Sequence, residues 1–142
     1  MLKILLPTDG SPSSVHAAEY VAKLARSSDL QVEVLNVQPP LPAAAAGFVP
    51  VETVKAFHEE EGEKALADTR AALETAGVRH RCHVAVGDAA ETIVDQAAAH
   101  GCDQIIMGSR GLSPVPNLLL GSTTTKVLHL STLPVTIVRK GA

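Results

Sequence analysis

Aromatic residues are nearly missing from this chain. It has no tryptophan, one tyrosine and two phenylalanines, 2% of the composition. Tyr20, Phe48 and Phe57 are too few and too widely spaced to build the stacking platform that single-stranded nucleic acid needs. A basic excess is missing too: the formal net charge is −3 and the pI is near 6.0, where a nucleic-acid binder usually shows a basic face. The only cysteines are Cys82 and Cys102, which read as free thiols in a chain without an export signal. No apolar run approaches the ~20 residues of a membrane helix. The opening "MLKILLPTDGS" has too short an apolar run for a signal peptide. It breaks at Pro7-Thr8-Asp9-Gly10 with no small-residue cleavage site behind it. The expectation is a cytoplasmic protein with neither membrane nor nucleic acid as partner.

Two nucleotide motifs are also missing. No Gly-Lys dipeptide occurs, which removes the Walker-type phosphate loop, and no Gly-x-Gly occurs, which removes the dinucleotide fingerprint.

What is present is a regular alternation. The 142 residues are 46% apolar, enough for one packed domain over 1–142. Apolar runs at Lys3–Leu6, Gln31–Val37, Arg79–Val86, Asp103–Met107 and Pro134–Arg139 read as buried strands. Four helical patterns lie between them. The first starts at Ser11-Pro12, a cap followed by a proline suited to the first helical turn, and turns Ala17, Ala18, Val21, Leu24 and Ala25 inward. The second covers 51–76, with an inner stripe of Val54, Ala65, Leu66, Thr69, Ala72, Leu73 and Ala76. Gly62 weakens its middle by about 1 kcal/mol relative to alanine and invites a kink. The third starts at Asp88, with Glu91 completing a capping-box pattern and Ile93, Val94, Ala97 and Ala98 inward. The fourth follows Gly121 and ends near Leu130. Such alternation predicts an α/β fold, a parallel sheet with helices on both faces. The connection Gln38–Pro50 carries four prolines and has no regular pattern; a lid, a partner-binding segment and plain disorder all fit it.

In doubly wound sheets ligands bind beyond the carboxyl ends of the strands, where the order reverses. Two unusual loops occupy such ends, Pro7–Ser11 and Gly108–Gly121. Glycines at 108, 111 and 121 let backbone amides approach an anion, and Ser122 and Thr123 open a helix whose first amides and dipole favour negative charge. Thr124 adds a third hydroxyl, and Arg110 offers a forked cation. The same spacing also fits plain punctuation, in which Gly108 ends a strand, Gly121 precedes a helix and the hydroxyls only cap it. Asp9 likewise reads either as a ligand-facing carboxylate or as a holder of loop amides.

The whole pattern is more specific than its parts. "GSRGLSPVPNLLLGSTTTKVLHLSTLPVTIVRK" resembles the C-terminal signature of the universal stress protein family, and "ILLPTDGSPSS" resembles its opening strand and loop. The likeness extends through "NVQPP" and "VGDAAETIVDQA", essentially the whole chain. The Gly-x-x-Gly-x9-Gly-Ser form resembles the ATP-binding branch. This resemblance implies a single-domain, Rossmann-like, doubly wound open sheet of five parallel strands in the order 3-2-1-4-5. It implies Asp9 beside the ribose and phosphates or near nucleotide-bound Mg2+, Pro7 and Thr8 shaping the loop, and Val37 and Met107 bordering adenine. It implies Gly108, Gly111, Gly121, Ser122, Thr123 and Thr124 on the phosphates, with Ser109 and Arg110 completing the loop. Pro114 and Pro116 depart from the common pattern and remove two amide donors from the spacer.

The family reading is a dimeric, ATP- and Mg-binding stress sensor or regulator. No catalytic base can be named, so hydrolysis is expected to be slow at most. The apolar edge strand "LPVTIVRK" is the expected dimer contact. The alternative is the same fold as a nucleotide-independent protein–protein interaction module, although such branches typically lack the glycine pattern. A related nucleotide hydrolase or transferase would need a Ser-Gly-Gly-x-Asp-Ser loop and a His-x-Gly-His motif, and a phosphorylated receiver would need an acidic cluster; the sequence carries none of these. In "RHRCHV", His80 and Cys82 fall on one strand face and His83 on the other, so they do not converge on a metal and read as structural residues. Glu59-Glu60-Glu61 reads as a solvated helix face.

Overall fold

In the computed structural model of the chain, residues 1–42, 45, 47–111 and 119–139 are described. The departures at Pro114 and Pro116, and Ala43, Ala44 and Ala46 of the long connection, lie outside them. Elements alternate as β1 (Leu2–Pro7), α1 (Pro12–Leu24), β2 (Leu30–Gln38), α2 (Val51–Thr75), β3 (His80–Val86), α3 (Ala89–Ala99), β4 (Gln104–Gly108), α4 (Ser122–Leu130) and β5 (Val135–Val138). The strands form one parallel sheet in the order β3-β2-β1-β4-β5. This is the doubly wound order that the family resemblance implied.

The period-two alternation of strand side chains splits the core into two layers. Ile4, Leu6, Val32, Val34 and Ile106 face α1 and α2, where they meet Ala17, Val21, Leu66 and Leu73. Leu5, Leu35, Ile105 and Met107 face α3 and α4, where they meet Ile93, Ala97 and Val127. Full burial of each large side chain contributes roughly 1.5–3 kcal/mol. The caps follow the sequence. Ser11 accepts the amide of Ser14, with Pro12 at the first turn, and Asp88 accepts the amide of Glu91. That amide, and then Lys126 at 3.1 Å from α4, hold the Asp88 carboxyl below its ordinary range. Cys82 and Cys102 are free thiols. Burial, and then the Glu33 charge, push the Cys102 thiol up to about 11.

Two inward assignments fail. Ala76 and Ala98 are exposed: Ala76 is already the C-cap of α2, and Ala98 stands about 100° round α3 from buried Ala97. Their places in the stripes go to His58 and Gly62 on α2 and to Ala90 on α3. His58 Nε2 lies 3.2 Å from the Pro39 carbonyl, which ties α2 to the start of the long connection.

Gly62 does not break α2. A Cβ built there would stand 2.5 and 2.8 Å from the two methyls of Val84 on β3, so glycine lets the helix lie close against the strand. Alanine gains about 1 kcal/mol of helix propensity, but overpacking a branched neighbour typically costs ~1–3 kcal/mol. We expect Gly62→Ala to lower the thermal midpoint followed by circular dichroism. A higher midpoint would show that α2 rides over Val84 without cost.

Candidate functional site

The sheet reverses between β1 and β4, so the segments leaving these strands diverge to opposite faces and leave a crevice. A cavity of about 350 Å3 opens there. Its lining is drawn from the loop after β1, the carboxyl ends of β2 and β4, the start of α3, and the first turn of α4.

The β1 loop is fixed from beneath. Thr8 is buried; its amide donates to the Leu35 carbonyl at 2.8 Å and its hydroxyl meets that of Thr69 at 3.0 Å. Asn36 Nδ2 donates to the Thr8 carbonyl at 2.9 Å, and Gln38 Nε2 in turn holds Asn36 Oδ1. Asp9 Oδ1 accepts from the Ser11 amide at 2.9 Å and from Ser14 Oγ at 2.7 Å, while the Asp9 amide donates back to Ser14 Oγ at 3.2 Å. The loop-holding role of Asp9 is therefore present, and the same residue lines the cavity.

The β4 loop is fixed against it. Gly108 lies so close to α1 that a Cβ there would stand 2.7 Å from the Ser13 carbonyl oxygen and 2.8 Å from its carbon. The Arg110 amide donates to Ser13 Oγ at 3.3 Å. Gly111 sits against the other Asp9 oxygen, where a Cβ would be 2.7 Å from Oδ2. The Gly121 amide donates to the Ser109 carbonyl at 2.7 Å and Thr124 Oγ1 to the Gly108 carbonyl at 3.1 Å, which draws the start of α4 onto the end of β4. α1 and α3 have side-chain caps, but Gly121 at the head of α4 has none, so the first turn of α4 meets the cavity without one. A helix start of this kind favours an anion.

Pro7, Thr8, Asp9, Val37, Met107, Gly108, Arg110, Gly111, Gly121, Ser122, Thr123 and Thr124 all line this one cavity. Ser109 does not: it is buried beneath the loop and serves through its carbonyl. Sequence reasoning missed Ser14, Leu35, Ala89, Ile93 and Leu120 in the lining. Leu35 and Ile93 look like any other core residues in sequence. Ser14 had a readable signal, a second serine in the first turn of α1 within reach of Asp9.

Comparison with known proteins places this geometry in a family. The model of the universal stress protein family matches residues 1–139. A universal stress protein of Methanocaldococcus jannaschii is 33% identical over 141 residues, covering 97% of this chain and 82% of that protein. The YxiE universal stress protein of Bacillus subtilis is 30% identical over 145 residues, covering 96% and 98%. Among solved structures, a hypothetical protein whose biochemical function was assigned from its structure superposes with a TM-score of 0.81 at 28% identity, covering 99% and 97% of the two chains. A universal stress protein in complex with cAMP superposes at 0.74 with 23% identity, covering 99% and 98%. A family protein of Arabidopsis thaliana with AMP bound superposes at 0.72 with 17% identity, covering 100% and 94%. At those last two identities the likeness shows the fold.

Proposed function

The chain belongs to the universal stress protein family, and from that premise we propose that it binds ATP in the cavity at the sheet reversal and acts as a cytoplasmic, dimeric stress-response sensor or regulator. One observation carries the reading. The uncapped first turn of α4 and the two close-packed glycines, Gly108 and Gly111, border the same cavity as Asp9, Val37 and Met107. Family neighbours that hold cAMP and AMP support an adenine nucleotide. The cavity volume falls within the ~300–1,000 Å3 usual for small-ligand clefts.

In this reading Val37 and Met107 border the adenine, and Pro7 and Thr8 set the edge of the nucleoside pocket. Gly111, Ser122, Thr123 and Thr124 take the phosphates through backbone amides, with the hydroxyls of Ser122 and Thr123 beside them and Arg110 at the rim, while Gly121, whose own amide is given to Ser109, leaves room for the phosphates to approach. The donor set suits a polyphosphate: neutral amides, hydroxyls and a helix start, with Asp9 as the one lining carboxylate among the described residues to share a cation. Mg2+, bound with the nucleotide, would neutralise phosphate charge beside Asp9. Among the described residues no helix is long and apolar enough to cross a membrane.

The dimer contact in this reading is β5, which among the described residues pairs with β4 only, leaving Val135, Thr136 and Ile137 half-buried at the sheet edge. An uncovered edge of this kind invites pairing with a second copy.

Two measurements test the reading. Gly121 has φ −71°, open to any residue, and the three nearest atoms that a Cβ there would meet are backbone atoms of Arg110, Ser109 and Gly111 at 3.4–3.7 Å, ordinary contact distances. Gly121→Val should therefore fold, while its branched side chain fills the gap between the β4 loop and α4. Calorimetry should show ATP affinity at least tenfold lower, about 1.4 kcal/mol, at an unchanged melting temperature. Equal affinity would refute the cradle and leave the fold as an interaction module. Sedimentation at micromolar concentration should give a two-fold dimer, and a monomer would end the edge-strand proposal.

A further inference from the structure

Glu33 stands in the middle of β2 with its side chain wholly buried. A carboxylate in that position needs partners, since burying a charge alone is costly. It shares the face of Leu35, turned towards α3 and α4. Arg81, on the neighbouring β3, supplies one partner by gripping both oxygens, with Nε on Oε2 at 3.2 Å and Nη2 on Oε1. Its own side chain is 60% exposed.

Arg81 does not account for what else converges there. His83, also on β3, brings Nε2 to 3.5 Å from Glu33 Oε2. His83 Nε2 is buried and, among the described residues, has no hydrogen-bond partner within normal range. The His83 ring stacks on His100 at the C-terminal end of α3, with centroids 4.2 Å apart and an interplanar angle of 28°. His100 Nε2 lies 3.1 Å from Gln96 Oε1, so when it donates there, Nδ1 keeps its lone pair. One ligand atom from each of Glu33, His83 and His100 lies within 4.8 Å of the others.

We infer that Glu33, His83 and His100 form a site for a divalent transition-metal ion of the zinc class, in which Arg81 is the counter-ion the metal displaces. Two histidines and a carboxylate are a donor set such ions favour. Two ligand atoms held at zinc bond lengths of about 2.0–2.2 Å and a tetrahedral angle stand roughly 3.4 Å apart. The 3.5 Å between His83 Nε2 and Glu33 Oε2 matches that edge, although it is too long for a good hydrogen bond. The stack must open for both imidazole lone pairs to meet at one point, and half-exposed His100, at a helix end, is the ring placed to turn. Arg81, mostly in solvent, can swing outward as the ion takes over its charge. Gln96 is then the outer partner that orients one ligand ring. None of the three ligands lines the nucleotide cavity.

The test uses the tag-free full chain and Co2+ as a spectroscopic probe, with Zn2+ as competitor. We expect one Co2+ per chain, visible d–d absorption of a low-symmetry site, and loss of that absorption on adding Zn2+. His83→Ala and His100→Ala should each weaken Co2+ binding roughly 10–100-fold, with circular dichroism showing both variants folded. Arg81→Gln should tighten it, an outcome that a purely structural His–Glu–Arg cluster does not produce. The inference is overturned if wild type shows no saturable Co2+ binding, or if His100→Ala, the variant that spares the core, binds as tightly as wild type.

Discussion

Gly108 against the backbone of Ser13 is the contact on which the cavity depends. The last residue of β4 and the first turn of α1 approach to a distance that no side chain at 108 would allow. This closeness brings Ser13 Oγ under the Arg110 amide and sets Gly111 against Asp9. It carries Gly108 and Ser109 to where their carbonyls receive Thr124 and Gly121. A Cβ at 108 would push the β4 loop off α1, and the head of α4 would move with it. The crevice that doubly wound topology provides is generic. The polar geometry inside it follows from one missing side chain.

Around that contact, apolar and polar forces have separate tasks. The two apolar layers fix the sheet and the helix positions but carry no information about the direction of any amide. Direction comes from a few buried or part-buried polar bonds: Thr8 to Leu35 and Thr69, Asn36 to Thr8, and Asp9 to Ser11 and Ser14. Each adds only about 0.5–1.5 kcal/mol net, but leaving such a group unpaired costs ~1–3 kcal/mol. The loop conformation is thus enforced mainly by the penalty for breaking it. A pre-set loop spares a ligand the ordering cost that would otherwise reduce its affinity.

Much of this was legible in the sequence. Strand and helix order followed from apolar runs and caps, as at Ser11-Pro12 and Asp88, because those signals are local. The sheet order came only with the family resemblance, since period and propensity say nothing about which strands are neighbours. What stayed hidden is non-local. Gly62 reads as a weak point in a helix until Val84 is seen beneath it. Leu35 and Ile93 read as core, and they are core, but they also face the cavity. Within "RHRCHV", His83 lies on the strand face opposite His80 and Cys82. His83 finds its companions on β2 and at the end of α3, at sequence separations of 50 and 17 residues that no local motif spans. Glu33 itself was the overlooked signal, a charged residue inside an apolar run with both sheet faces covered.

The occupation of Asp9 also bears on what the cavity can do. A general base for hydrolysis must offer an oxygen to an attacking water in line with the leaving group. Oδ1 of Asp9 is taken up by the Ser11 amide and the Ser14 hydroxyl, and Oδ2 is packed against Gly111. The carboxylate is held as part of the loop, and turning it towards a water would break the bonds that shape the loop. Among the described residues, the lining otherwise consists of amides, hydroxyls, apolar side chains and Arg110. Such groups stabilise charge that is already present, in a bound anion as much as in a transition state. Binding energy realised equally in both states tightens the complex without speeding the reaction. In the proposed reading, a site organised in this way suits a protein whose output is the bound state itself.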